Sequence, residues 1–255
     1  MDALQILVVM FIMALLRYLP VIALPAMSPF SWAPGMVRGV LLLGLSWLTV
    51  MSVPSMQAPL HWREPIGLIV AGAGELLLGM VFGLAIMVPN ASLSVAGWLA
   101  DTQAGLSAAV VFNPAAQHDA ESVLGVALML LSTVLFFLLD LHIRLFQLLV
   151  GAAQAIPLGS LSLHLDMDAF LAMFGGSFLL GLMVVSPIVL GLLMLDIAVG
   201  YATRSMPQAN VYFLALPLKV AVALLLLAVS LSFTPHLIGR LFGDAFNRIP
   251  AVLGG

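Results

Sequence analysis

From Phe170 to Leu195 the chain runs for 26 residues without one charged side chain. Val220 to Gly239 repeats the pattern, free of Asp, Glu, Lys and Arg. Stretches this apolar cannot coat a water-facing surface, and each is long enough to cross a bilayer, which takes roughly 20 residues of helix. In lipid the backbone must satisfy its own hydrogen bonds, so such stretches are read as helices. The whole chain agrees: 7% of its 255 residues are charged, against about 25% in a soluble domain. An all-α integral membrane protein follows. Evenly spaced apolar blocks with no long polar linker predict one membrane domain over residues 1–255.

The same counts exclude several classes of function. The eight Lys and Arg are scattered singly and the net charge is -3, so no basic run exists for nucleic acid. There is no cysteine, which removes disulfides and thiolate metal sites. The N-terminal apolar segment lacks a basic leader and a small-residue cleavage site, and it reads as a retained helix. The one lysine, Lys219, is followed by Val220, so a phosphate-binding GxxxxGK[ST] loop is impossible. No cofactor, metal or catalytic set is expected.

Candidate helices fall near 3–25, 39–54, 66–89, 91–112, 123–139, 145–157, 169–195 and 211–233. Pro20, Pro25, Pro29 and Pro34 mark a bend after the first. Arg17 and Arg38 read as interfacial anchors. Residues 55–65, with His61, Trp62, Arg63 and Glu64, read as a loop at the membrane interface. Glu75, Gly79 and Gly83 are spaced by four and share one helix face. The two glycines invite a second helix close, and the carboxylate is then paired or protonated in that contact. Asp140 and Arg144 have the spacing of a helix-end ion pair, and Asp166 and Asp168 suit the N-terminus of the next helix. The C-terminal GRLFGDAFNRIPAVLGG reads as a short polar end, and no internal repeat stands out.

Two stretches are too polar for lipid. After Pro89-Asn90, small residues with Asp101, Gln103 and Ser107 lead into the helix-breaking Asn113-Pro114, which suits a broken helix lining a cavity. Arg204 to Lys219, RSMPQANVYFLALPLK, gathers Arg204, Pro207, Gln208, Asn210, Pro217 and Lys219 between the two uncharged runs. These groups must face protein or trapped water.

Three stretches together resemble the FliR/SctT family of export-gate subunits of bacterial type III secretion. They are GELLLGMVFG with AGWLADTQAGLSAAVVFNP, then LGVALMLLSTVLFFLLDLHIRLFQLLVGAAQAIPLG, then RSMPQANVYFLALPLK. The resemblance implies a non-enzymatic gate subunit in the bacterial inner membrane, at the base of the flagellum or injectisome. There it would join FliP-like, FliQ-like and FlhB-like partners in a helical hetero-oligomeric ring and conduct unfolded polypeptides. It further implies a plug carried by Gln103, Gly105, Leu106, Ser107, Phe112, Asn113 and Pro114. Glu75, Gly79, Gly83 and the polar residues from Arg204 to Lys219 would serve assembly. Two departures stand out: the family's Asp-Pro is Asn113-Pro114 here, and its Gly-His is Leu141-His142. The histidine, Pro157-Leu158-Gly159 and Leu216-Pro217-Leu218-Lys219 favour the flagellar branch, with the injectisome as the alternative. The rival readings are a transporter coupled through Glu75, Asp101 and Asp196, and an intramembrane enzyme for which no converging residues are found.

Overall fold

The computed structural model describes residues 3–23, 28–52, 62, 64–106, 122–160, 165–205 and 211–254. Among them stand eight α-helices: α1 (Ala3–Ile22), α2 (Gly35–Ser52), α3 (Pro65–Ala104), α4 (Val123–Leu138), α5 (Leu141–Ala155), α6 (Met167–Ser205), α7 (Val211–Ser230) and α8 (Thr234–Val252). The all-α membrane reading holds. Among the described residues four helices are long and apolar enough to cross a membrane, and the pairs α4–α5 and α7–α8 reach that length together across a break.

The structure departs from the expected blocks in two places. The segment expected at 66–89 and the first part of the one expected at 91–112 are one helix, α3, which continues through Pro89 and ends at Ala104; residues 107–112 lie outside the described residues. A proline inside a helix costs about 3 kcal/mol. Here Phe82, Ala85, Ile86, Val88 and Leu93 are all buried around it, and packing on both sides holds the helix together. The supposed polar C-terminus is instead α8. Its Ile238, Leu241, Phe242, Ala245, Phe246 and Ile249 are buried at three- and four-residue spacing, the pattern of an amphipathic helix.

A repeat also becomes visible. α3 has 40 residues and contains Pro89, and the broken pair α4–α5 follows it. α6 has 39 residues and contains Pro187, and the broken pair α7–α8 follows it. At 1.5 Å per residue each long helix has a contour of about 60 Å, twice the hydrocarbon thickness of about 30 Å.

The chain divides into two compact units. The first comprises Met1–Val88, Asp140–Phe174 and Phe242–Gly255. In it α1 lies along α2, with Phe11 edge-on to Trp47 at 6.1 Å and the Tyr18 hydroxyl 2.6 Å from Thr49 Oγ1. The outer face of α2, with Met36, Val40 and Leu48, is exposed. Asp166 starts α6 as expected, its carboxylate accepting from the N–H groups of Asp168 and Ala169. Its own N–H donates to the Val252 carbonyl at the end of α8.

The second unit comprises Pro89–Leu139 and Gly175–Leu241. Its core gathers Ala100, Ala104, Leu124, Ile188, Leu192 and Ala223. Small residues let its helices touch at backbone distance. A Cβ on Gly97 would lie 2.5 Å from the Gly125 nitrogen, and one on Gly181 would lie 2.6 Å from Ser92 Oγ. Ser132 Oγ donates to Asn90 Oδ1 at 2.6 Å across the α3–α4 contact.

Candidate functional site

Three polar clusters hold most of the charged residues singled out in the apolar helices, two of them buried and the third partly exposed. The first joins α1 to α3 in the first unit. Arg17 is fully buried and Glu75 is 1% exposed. The guanidinium meets the carboxylate side-on, Nε to Oε2 at 2.5 Å and Nη2 to Oε1 at 2.9 Å. Two backbone groups join the cluster: Nη2 donates to the Ile156 carbonyl, and Glu75 Oε1 accepts from the Gly159 N–H, while Nη1 finds no partner among the described residues. Taking two charges out of water is costly, and the added hydrogen bonds are what make such a pair tolerable. The glycines bring the helices close enough. A Cβ on Gly79 would collide with the Arg17 carbonyl and lie 2.9 Å from the Pro20 ring, and one on Gly83 would be 3.2 Å from the Pro20 carbonyl oxygen.

Arg17 is therefore not an interfacial anchor. The spacing of Glu75, Gly79 and Gly83 identifies the contact face, while the partner 58 residues upstream leaves no trace in that spacing. Trp62 also departs from expectation. Only 2% exposed, it packs on Gly159, where a Cβ would lie 2.7 Å from the indole nitrogen and whose φ of 72° itself favours glycine. His61 and Arg63 lie outside the described residues.

The second cluster lies where α3 ends and α4 begins. Asp101 is 3% exposed. Its carboxylate accepts from Ser122 Oγ at 2.5 Å and from the Leu124 N–H at 3.1 Å. Ser122 is the N-cap of α4, its Oγ accepting from the Gly125 N–H at 2.8 Å. Gly105 closes α3 with a φ of 78°. Its N–H donates to the Thr102 carbonyl, and the Leu106 N–H donates to the Asp101 carbonyl at 3.1 Å. That paired arrangement is the Schellman motif, and the left-handed residue it needs is most often glycine. Leu106 then packs against the core of the unit. Gln103 is half-buried nearby. Ser107, Phe112, Asn113 and Pro114 lie outside the described residues.

The third cluster is on α6 and α7. Lys219 forms an ion pair with Asp196, and both stand at the border of the uncharged runs. Arg204 is exposed in the last turn of α6, where a cation suits the carbonyl end of the helix. Pro217 is exposed within α7. Pro207, Gln208 and Asn210 lie outside the described residues. The expected Asp140–Arg144 pair is replaced by other contacts. Arg144 Nη2 donates to Asn247 Oδ1 at 2.7 Å, and Asp140 takes a left-handed φ of 55° at the turn before α5. The positive φ thus falls one residue before Leu141, the first residue of α5.

Each of the three carboxylates proposed for ion coupling is already engaged: Glu75 by Arg17, Asp101 by a helix N-terminus and Asp196 by Lys219.

The profile of bacterial export proteins, family 1, matches residues 8–245. The chain is 28% identical over 242 residues to flagellar biosynthetic protein FliR of Escherichia coli, covering 94% of this chain and 90% of that protein. It is 30% identical over 212 residues to FliR of Caulobacter vibrioides, covering 82% and 80%. It is 25% identical over 217 residues to secretion system apparatus protein SsaT of Salmonella typhimurium, covering 84% and 83%. With the match extending through all three clusters, this chain belongs to family 1 of the bacterial export proteins.

Proposed function

We propose that this chain, as a subunit of the type III export apparatus, forms part of the gate through which unfolded polypeptides cross the bacterial inner membrane, with the flagellum as its setting. The observation that carries this reading is the length of the family match, residues 8–245, which takes in all but the first residues of α1 and the last turns of α8. Likeness to FliR of E. coli over 94% of the chain favours the flagellar form. The mechanism is conduction without chemistry. The buried Arg17–Glu75 pair and the helix caps hold the helices in register, and the driving energy enters elsewhere in the machine.

Gln103, Gly105, Leu106, Ser107, Phe112, Asn113 and Pro114 are proposed as the plug. Arg204, Pro207, Gln208, Asn210, Pro217 and Lys219 are proposed to meet FliP-like, FliQ-like and FlhB-like partners. Glu75, Gly79 and Gly83 support the same assembly through the α1–α3 contact. In this reading residues 1–255 act as one domain. Co-expression with the FliP-like and FliQ-like chains, followed by native mass spectrometry, is expected to give a hetero-oligomer holding one copy of this chain. A stable lone monomer that ignores those partners refutes the proposal. The likeness to SsaT favours a second reading, an injectisome subunit. Loss of this chain then stops secretion of virulence substrates and leaves flagella intact.

A further inference from the structure

A cleft of about 440 Å³ runs between α5 and α8 in the first unit, with Phe82 of α3 in its wall. Small-molecule sites span roughly 300–1,000 Å³. Small residues make the space: Gly151, Ala152 and Ala155 line it from α5, and a Cβ added to Gly151 meets nothing within 4 Å. A glycine inside a helix is unfavourable unless close packing or a positive φ requires it. Gly151 lies within α5 and has neither. Apart from Gln147 at one end, the lining side chains are apolar.

That end carries a charge. Arg144 stands three residues before Gln147 on the same exposed face of α5. Its Nη2 donates to Asn247 Oδ1, three residues before the cleft-lining Pro250 of α8. Its Nη1 lies beside Gly243, 3.7 Å from where a Cβ would be. A neutral amide leaves the guanidinium charge uncancelled. The neighbouring Arg248 is paired with Asp244, whereas Arg144 makes no ion pair among the described residues. From Gln147 to Ile156 the cleft follows α5 for about 14 Å at 1.5 Å per residue. One leaflet is about 15 Å deep, half of a 30 Å hydrocarbon core. Over that length the volume gives a channel about 6 Å across, too narrow for a helix of about 10–12 Å and suited to one acyl chain.

We infer that this cleft binds one anionic phospholipid, with an acyl chain between α5 and α8, the ester region at Gln147 and the phosphate on Arg144. Charge complementarity selects the occupant. Basic residues beside grooves between membrane helices favour anionic headgroups, and arginine presents a fork of donors that matches phosphate oxygens. The apolar walls hold any acyl chain, and the guanidinium distinguishes the headgroups. Such a site needs only the membrane setting of the helices, whatever passes through the assembly.

The full-length chain is stripped of lipid in mild detergent, offered dioleoyl phosphatidylglycerol or dioleoyl phosphatidylcholine, and weighed by native mass spectrometry. Wild type is expected to retain one phospholipid and to hold the anionic one about 5-fold more tightly, the worth of one arginine at an anionic surface. R144Q is expected to bind both lipids equally. G151L fills the cleft from α5 and is expected to lose both, while its lipid-free unfolding midpoint stays at or above that of wild type, since leucine suits a helix better than glycine. G39L on α2, where a Cβ also meets nothing within 4 Å, is the control and is expected to keep the lipid.

The site is refuted if wild type retains neither lipid, if it holds the two equally, or if G151L retains what G39L retains. Should G151L fail to fold, R144Q decides, because Arg144 is exposed and its loss is expected to remove headgroup selectivity alone. Displacement of the lipid on co-expression with the FliP-like and FliQ-like chains also overturns the inference, and makes a protein partner the occupant.

Discussion

Arg17 and Glu75 show how much a single pair can require of its surroundings. The guanidinium has the carboxylate and the Ile156 carbonyl, and the carboxylate has the guanidinium and the Gly159 N–H. Removing one partner leaves a charge buried without compensation, a loss of about 3–5 kcal/mol. E75A and R17A are each expected to lower the thermal unfolding midpoint sharply in mild detergent. The apolar double substitution R17M/E75L is expected to lie above both singles, because no unpaired charge remains. Equal midpoints for all three would remove the pair as the source of the effect. Half of this site was legible beforehand. Glu75, Gly79 and Gly83 at four-residue spacing announce a helix contact, but Arg17 sits in a helix whose apolar sequence is equally compatible with an anchor at the interface. Asp101 was harder still, since its partners are 21 and 23 residues away across a break.

The boundaries of the elements were set by competition between local preference and packing. Pro89 predicts a break, yet buried neighbours on either side carry α3 past it. α8 escaped notice because its apolar residues are interleaved with Arg240, Asp244, Asn247 and Arg248, giving a face where a continuous block was sought. The turn between α4 and α5 was legible only in outline. Its Asp140 adopts φ 55°, a conformation that costs an ordinary L-residue about 1–2 kcal/mol and that glycine adopts freely. D140G is therefore expected to leave the unfolding midpoint unchanged or raised. D140V, branched at Cβ, is expected to lower it by the equivalent of about 1–2 kcal/mol. A destabilised D140G together with a neutral D140V would show that the side chain, and not the backbone, governs this turn.

For the molecule as a whole, the least membrane-like helix bears on the integrity of the rest. Ending the chain after Gly239 removes Leu241, Phe242, Phe246 and Ile249, all 2% exposed or less. At about 1.5–3 kcal/mol for each buried side chain, the loss is roughly 6–12 kcal/mol, comparable with the whole stability of a domain. The truncated chain is expected to lose its monodisperse peak in detergent chromatography, although four membrane-length helices remain. R248A, which breaks only the half-exposed pair with Asp244, is expected to shift stability by no more than about 0.5 kcal/mol. The repeated plan of a long proline-containing helix followed by a broken pair was not legible in residue identities. It lies in lengths and joints, which apolar sequences can keep while their residues change. The burial of Arg17 has a last consequence, one of timing. Glu75 lies 58 residues behind it, and at about 5–20 residues per second of synthesis the guanidinium waits roughly 3 to 12 s for its carboxylate. During that interval α1 carries an uncancelled positive charge, so α1 settles only once α3 has left the ribosome.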